Sequence, residues 1–136
     1  MNHSVNGVFP AVCIDVIHQR YAVDHVLQSF VTLVFSVDAP GRPHTLVSTK
    51  FPFVLTQGSR LRSILETWRG APFTDEQMDA FDIDHCVGVG ARLRVQSHRN
   101  SHGRISAQWH QATPLSRSDT PAPPPDYIRQ HHRAVA

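Results

Sequence analysis

The chain has 136 residues, of which 40% are hydrophobic and 18% charged, and its formal net charge is only +2. This length fits a single domain with a real core. No apolar run approaches the ~20 residues of a membrane helix, and two cysteines are too few for a disulfide framework. We therefore expect a soluble intracellular protein with buried free thiols, no membrane contact and no signal peptide.

The basic residues are unevenly chosen, with 12 arginines and a single lysine. Guanidinium groups are planar and suit both phosphate binding and stacking on bases. A GC-rich genome explains the same bias equally well. From Arg92 to Arg117 there are five arginines and no acidic residue, so the positive charge is concentrated in one part of the chain.

Three β-branched stretches open the chain and predict strands over Val8–Ile17, Leu27–Val37 and about His44–Val54. The first stretch is apolar at both parities, which predicts burial on both faces. A polar connection is expected over His18–Val26, and a turn over Asp38–Pro43, where proline and glycine follow in order.

The next stretch is the one clear helical signal, with an apolar stripe formed by Leu61, Ile64, Leu65 and Trp68. It predicts a helix over Gln57–Gly70, capped by Ser59 at its start and closed by a left-handed Gly70. Thr74 opens a second, shorter helix over Asp75–Phe81 with a capping-box pattern.

Two further strands follow the helices. Over Ala91–Gln96, apolar residues alternate with polar and basic ones, which predicts one buried face and one basic face. Ser97–Gly103 is expected to form a hairpin tip before a fifth strand over Ile105–His110. The domain boundaries are predicted as a flexible N-terminus over 1–7, the folded domain over 8–116, and a Pro-rich, disordered tail over 117–136.

This order of elements predicts a mainly β protein. A five-stranded OB-fold-like barrel with a two-helix insert between strands 3 and 4 matches both the element count and the helix position. Periodicity does not specify strand order, so another small barrel, or a five-stranded sheet with a helical cap, is the alternative.

A longer pattern carries a resemblance to a known family. Ser59-Arg-Leu-Arg is followed by Leu65-Glu-Thr-Trp-Arg-Gly-Ala-Pro-Phe-Thr, then by Phe81-Asp-Ile and Val87-Gly. This order resembles a family of small tailed-phage and prophage proteins that look like OB-fold single-stranded DNA-binding proteins. The likeness runs from about Gly7 to Leu115. Ser106 stands where that family usually has an aromatic residue, and the single lysine stands where relatives have several.

Single-stranded nucleic acid binding needs cations that follow the phosphates and aromatic faces that stack on bases. The candidate contact residues are Arg92, Arg94, Arg99, Arg104, Lys50 and Phe30. The competing interpretation is structural. In it, Arg92 and Arg94 are a solvated strand face, Phe30 covers the core, and Trp109 is as readily buried as stacked on a base.

Metal and catalytic sites have weaker signals. Cys86, His98 and His102 are the best ligand set, but they lack the paired short spacings of a structural zinc site. The acidic residues between Asp75 and Asp84 lie on a capped helix and its exit, where solvent exposure explains them. No phosphate loop and no nucleophile motif is present, so we expect no enzyme, no metal and no cofactor.

The predicted function is non-catalytic single-stranded DNA binding in phage or prophage replication or recombination. The resemblance implies a cytoplasmic location in a bacterial host cell. Expected partners are single-stranded DNA, further copies of the chain in a homo-oligomer, and replication or recombination proteins. The alternative function is a protein-interaction or assembly module of a phage-encoded complex, with the polyproline tail and the helix pair as its working surface.

Overall fold

A computed structural model of the protein describes residues 6–99, 101–103, 105–127 and 129. The strands are β1 (Gly7–Val23), β2 (Val26–Ala39), β3 (Arg42–Pro52), β4 (Gly90–Arg99) and β5 (Ile105–Pro114). The α-helices are α1 (Arg60–Arg69) and α2 (Asp75–Ala80), and 3-10 turns cover Ile83–Cys86 and Arg117–Asp119. The protein is thus mainly β, and both α-helices fall between β3 and β4 in the chain.

The five strands form one antiparallel sheet in the order β3-β2-β1-β4-β5. The closed barrel predicted from the sequence is wrong, because no backbone ladder joins β3 to β5 in the described part of the chain. A side chain bridges the two edges instead. The Thr49 hydroxyl donates to the Trp109 carbonyl oxygen at 2.7 Å and accepts from the Trp109 amide nitrogen at 3.2 Å.

The β1–β2 hairpin is longer than the sequence predicts. Residues 18–26 are not a loose connection, because β1 continues to Val23 and pairs with β2 up to a two-residue turn. Asp24 and His25 form that turn with φ values of 50° and 67°, the positive values that tight β-hairpins require. The hairpin extends past the core, so its polar residues are solvated on both faces. We call residues 18–30 the hairpin arm.

The core lies on the sheet face that α1 covers. Alternate residues of β2 point into it, and Trp109 of β5 is fully buried between Phe35 and Phe51, with ring centroids 5.1 and 5.5 Å away. The Trp109 indole N–H donates to the Leu33 carbonyl at 3.0 Å. Trp68 anchors α1 in the same core and donates to the Gly90 carbonyl at 2.8 Å. Each buried tryptophan thus has an acceptor for its indole N–H, as buried tryptophans usually do.

The predicted helix caps are confirmed, although α1 begins at Arg60 and not at Gln57. The Ser59 hydroxyl accepts from the Arg62 amide, Gly70 adopts a left-handed conformation (φ 82°), and Thr74 forms a capping box with Gln77. Arg62 is buried although it lies off the apolar stripe of α1. Its guanidinium donates to two loop carbonyls and lies 3.6 Å from Glu66, so it joins α1 to the loops at both of its ends.

The Pro-rich segment lies against the outer face of the sheet, the face opposite the core. We call residues 115–127 the strap. Pro121 and Ala122 line a small groove with residues of the β2–β3 hairpin, and Tyr127 packs against an apolar cluster of Val12, Ile14 and Val34. In this arrangement Tyr127 has both apolar and polar partners on the sheet.

The strap ends on a buried carboxylate. Asp15 is fully buried at a bulge in β1, and its Oδ1 accepts from the Val16 amide at 2.9 Å. The Tyr127 hydroxyl donates to Asp15 Oδ2 at 2.7 Å, and Arg129 Nε lies 3.6 Å from Oδ1. A buried carboxylate is costly unless it is hydrogen-bonded or paired with a cation, so these contacts tie the strap to β1.

Gly90 provides a test of the strap. A Cβ atom at this position would lie 1.9 Å from Thr120 Oγ1, so the Gly90→Ala variant must displace the strap. Overpacking costs about 1–3 kcal/mol, and we expect trypsin to cleave after Arg117 roughly tenfold faster. Val89→Ala is the matched control because Val89 is exposed. Unchanged cleavage of Gly90→Ala would show that Thr120 does not hold the strap.

Candidate nucleic-acid interface

The structure divides the six predicted contact residues into separate groups. Phe30 and Lys50 lie together on the outer face of β2 and β3. Arg92 and Arg94 lie on the outer face of β4, and both are exposed. Arg99 is the last residue of β4, and Arg104 falls outside the described residues.

Phe30 and Lys50 belong to a cluster that also contains Tyr21, and we call these three residues the aromatic patch. The Tyr21 and Phe30 rings stack with centroids 4.6 Å apart and planes inclined by 15°. Lys50 Nζ donates to the Tyr21 hydroxyl at 2.6 Å and lies 5.0 and 5.3 Å from the two ring centroids.

These distances locate the ammonium group. An atom above the outer face of one ring would be much farther from the second ring than from the first. Nζ is nearly equidistant from both rings, so it lies beside the stack and leaves their outward faces uncovered by Lys50. Tyr21 is 38% exposed, and Lys50 is also exposed. The patch thus presents an aromatic surface beside a positive charge, the pair of features that stacks a base and attracts its phosphate.

The hairpin register builds the patch. Gln19 pairs with Phe30, and Thr32 pairs with Lys50, so alternate residues of three adjacent strands point outward at one end of the sheet. Tyr21 follows Gln19 by two residues on the same face and reaches Phe30 diagonally. The patch therefore depends on the two-residue turn that sets this register.

The surroundings of the patch contain both polar and apolar residues and carry little net charge. Val26 and Leu27 at the tip of the arm, and Phe53 just after β3, are exposed. Arg20 and Asp24 are exposed with opposite charges in the arm. Lys50 thus supplies the positive charge beside the two rings. We expect stacking on the rings to contribute more to the binding energy at the patch than electrostatic attraction does.

Tyr21 is the residue that sequence reasoning missed. It falls inside the stretch assigned to a polar connection, where no alternation marks a face. The available signal was its spacing from Phe30 across a two-residue turn, but Asp24-His25 lacks the glycine or asparagine that usually identifies such a turn.

Arg92 and Arg94 lie far from the patch along the sheet. Arg92 pairs with Pro10 of β1, whereas Phe30 pairs with Gln19. The nine residues from 10 to 19 span about 30 Å of strand. The strap crosses the outer face between these two levels, on Val12 and Ile14. Along β1 the arginine pair and the aromatic patch are thus about 30 Å apart, whereas on the other side of the sheet β3 meets β5 at Thr49 and Trp109.

Arg94 opens instead onto a groove between α1 and the sheet, which we call the lateral groove. Its volume is about 400 Å³, and it is lined by Arg60, Ser63, Ile64, Thr67, Arg94, His110, Gln111 and Ala112. Arg92 is not among the lining residues, although it lies on the same face of β4 two residues away.

A second concavity is apolar. It has a volume of about 450 Å³ and lies between the two helices, the turn after α2 and the starts of β4 and the strap. Its apolar walls include Leu65, Trp68, Phe73, Phe81 and Leu115. We call it the apolar cleft. A cleft of this size and lining suits an apolar group rather than a phosphate.

The two cysteines are buried free thiols, as expected. Burial raises the pKa of Cys86 to about 12, with the nearby charges of Asp84 and Asp82 adding to the effect. Burial likewise raises the pKa of Cys13 far above its usual range. Both thiols are therefore protonated at neutral pH and lack the thiolate character of nucleophilic cysteines.

Two further features were sought among the described residues, a metal-binding group of side chains and a membrane-spanning helix. Among them, no group of three or more histidine, cysteine or acidic side chains is arranged to hold a metal ion. No helix in this part of the chain is both long enough and apolar enough to span a membrane.

In comparisons with known proteins, no family model matches the chain, and no curated protein or solved structure gives a significant match.

Proposed function

We propose that the protein binds single-stranded DNA without catalysis, through the aromatic patch of Tyr21, Phe30 and Lys50. The observation that carries the proposal is the stacked pair of an exposed Tyr21 ring and a half-buried Phe30 ring, with an ammonium group beside it, on the outer face of adjacent strands. Bases of single strands stack on such rings without sequence preference, because every base has a π-face.

The strand pairing suggests a fold in which a binding surface at the aromatic patch would be expected. We propose that the sheet is an OB-fold variant, since β1 pairs with both β2 and β4, and the Thr49 bridge brings β3 next to β5. OB-folds bind oligonucleotides on the face of their second and third strands and on the loop between the first two. The aromatic patch and the turn at Asp24-His25 occupy these positions.

The resemblance of the helical stretch to phage single-stranded DNA-binding proteins gives the proposed biological setting. The protein would cover exposed single strands during phage or prophage replication or recombination, in the cytoplasm of the bacterial host. Homo-oligomers and replication or recombination proteins belong to the same proposal as partners.

The first test is a titration of a fluorescent oligo-dT of about 15 nucleotides at about 50 mM salt. We expect binding that exceeds the binding of a duplex of equal length, because paired bases hide their stacking faces. The Lys50→Ala variant should make the negative slope of log K against log salt shallower by about 0.7. A well-folded sample that binds no oligo-dT, or that binds the duplex equally well, would contradict the proposal.

The apolar cleft favours a second candidate function, a protein-interaction module. A cleft of about 450 Å³ lined by aromatic and aliphatic side chains can accept an apolar side chain of a partner protein. Failure of oligonucleotide binding in the same titration would favour this candidate over the first.

A further inference from the structure

The lateral groove carries a concentration of polar donors on two walls. Arg60, Ser63 and Thr67 lie three and four residues apart and form one wall, the outward side of α1. Arg94, His110 and Gln111 form the other wall, where β4 and β5 run side by side and Arg94 pairs with Gln111.

The charge of the groove is of one sign. Two guanidinium groups line it together with an imidazole, and none of its eight lining residues is acidic. This differs from the arm, where Arg20 and Asp24 offset each other. The Thr67 hydroxyl already donates to the Ser63 carbonyl, so the two guanidinium groups, the Ser63 hydroxyl and the Gln111 amide are the groups of this groove that suit phosphate oxygens.

The groove also begins close to the aromatic patch. The Arg60 guanidinium carbon lies 4.9 Å from the centroid of the Phe51 ring, and Phe51 follows Lys50 directly in β3. Phe51 is buried and points to the face opposite Lys50, so a strand of nucleic acid that stacks on the patch would cross β3 to reach Arg60, and Arg94 lines the same groove.

We propose that the lateral groove binds a phosphate group between Arg60 and Arg94. The phosphate is either a phosphodiester of a bound single strand or a free phosphate ester, since both present the same oxygens. In its nucleic-acid form this inference rests on the proposed function, and it assigns to Arg94 a role that Arg92 does not share.

The first arm of the test measures oligo-dT binding over a salt series for the wild type, the Arg60→Ala/Arg94→Ala double variant and Arg92→Ala. Each phosphate contact contributes about 0.7 to the slope for single strands, so the double variant should lose about 1.4 of it. Arg92→Ala is the matched control for the loss of Arg94, because it removes one guanidinium group from the same face of the same strand, and it should keep the wild-type slope. All three side chains are exposed, so the variants should fold.

The second arm follows the backbone amides of Ser63, Thr67 and Gln111 by NMR while inorganic phosphate is added. Shifts that disappear in the double variant, together with the reduced slope, establish a backbone-binding groove. Phosphate shifts without oligo-dT binding would mean that the proposed function fails and that the groove takes a free phosphate ester. An unchanged slope with no phosphate shifts would overturn the groove. A slope reduced by about 0.7 in Arg92→Ala would do the same, because it would show a diffuse effect of each removed charge.

Discussion

Replacement of Trp109 by alanine is expected to lower the free energy of unfolding by about 3–5 kcal/mol, the usual cost of removing a large buried ring. Trp109 is fully buried, contacts Phe35 and Phe51, and donates to the Leu33 carbonyl. Its main chain also meets Thr49 across the open edge of the sheet. Since domains are stable by only about 5–15 kcal/mol, the variant should lose a large share of its stability.

Urea denaturation followed by circular dichroism measures this loss. Phe53→Ala is the control, because Phe53 is an aromatic residue with an exposed side chain, and it should cost less than about 1 kcal/mol. A loss for Trp109→Ala that is no larger than the loss for Phe53→Ala would contradict the placement of Trp109 in the core.

The Tyr21→Ala/Phe30→Ala double variant is expected to weaken oligo-dT binding by at least about 30-fold, or about 2 kcal/mol. Alanine substitution at one stacking platform typically costs about 1–3 kcal/mol. The two rings contact each other, so their separate losses should not simply add. Fluorescence anisotropy at constant salt measures the change.

Leu46→Ala is the control for this pair. Leu46 is 49% exposed and lies on the same face of β3 as Lys50, four residues earlier. Its removal subtracts apolar surface from the sheet without touching the patch. If Leu46→Ala weakens binding as much as the double variant does, binding depends on general surface hydrophobicity rather than on stacking.

The fold of the central strands and of the helix ends was predictable because their signals are local. Alternation along β2 and β4 follows burial of a single face. The caps at Ser59, Gly70 and Thr74 satisfy backbone groups within a few residues. Neither inference requires knowledge of a distant part of the chain.

The hairpin arm was not predictable in the same way. Outside the core neither face is buried, so no alternation develops, although the backbone ladder continues to Val23. The position of Tyr21 next to Phe30 then depends on register, since a slip of one residue would send Tyr21 to the other face. The turn that sets this register has an atypical sequence.

The strap and the separation of the arginines are tertiary properties. Polyproline composition describes the local conformation of the tail, but its docking depends on Tyr127 reaching Asp15, 112 residues away in the chain. Alternation correctly predicts that Arg92 and Arg94 are exposed. Whether they lie near Phe30 depends on the registers of β1 with β2 and β4, which separate them by about 30 Å along the strand.

Binding of single-stranded DNA at the aromatic patch is tested most directly by an NMR titration of the labelled wild-type protein with oligo-dT, read at each backbone amide. We expect the largest changes of amide chemical shift in residues 19–30 and 48–52, around Tyr21, Phe30 and Lys50. Shifts of at most similar size should appear along the lateral groove. The absence of shifts, or shifts confined to the apolar cleft or the strap, would contradict the aromatic patch as a binding site for single-stranded DNA.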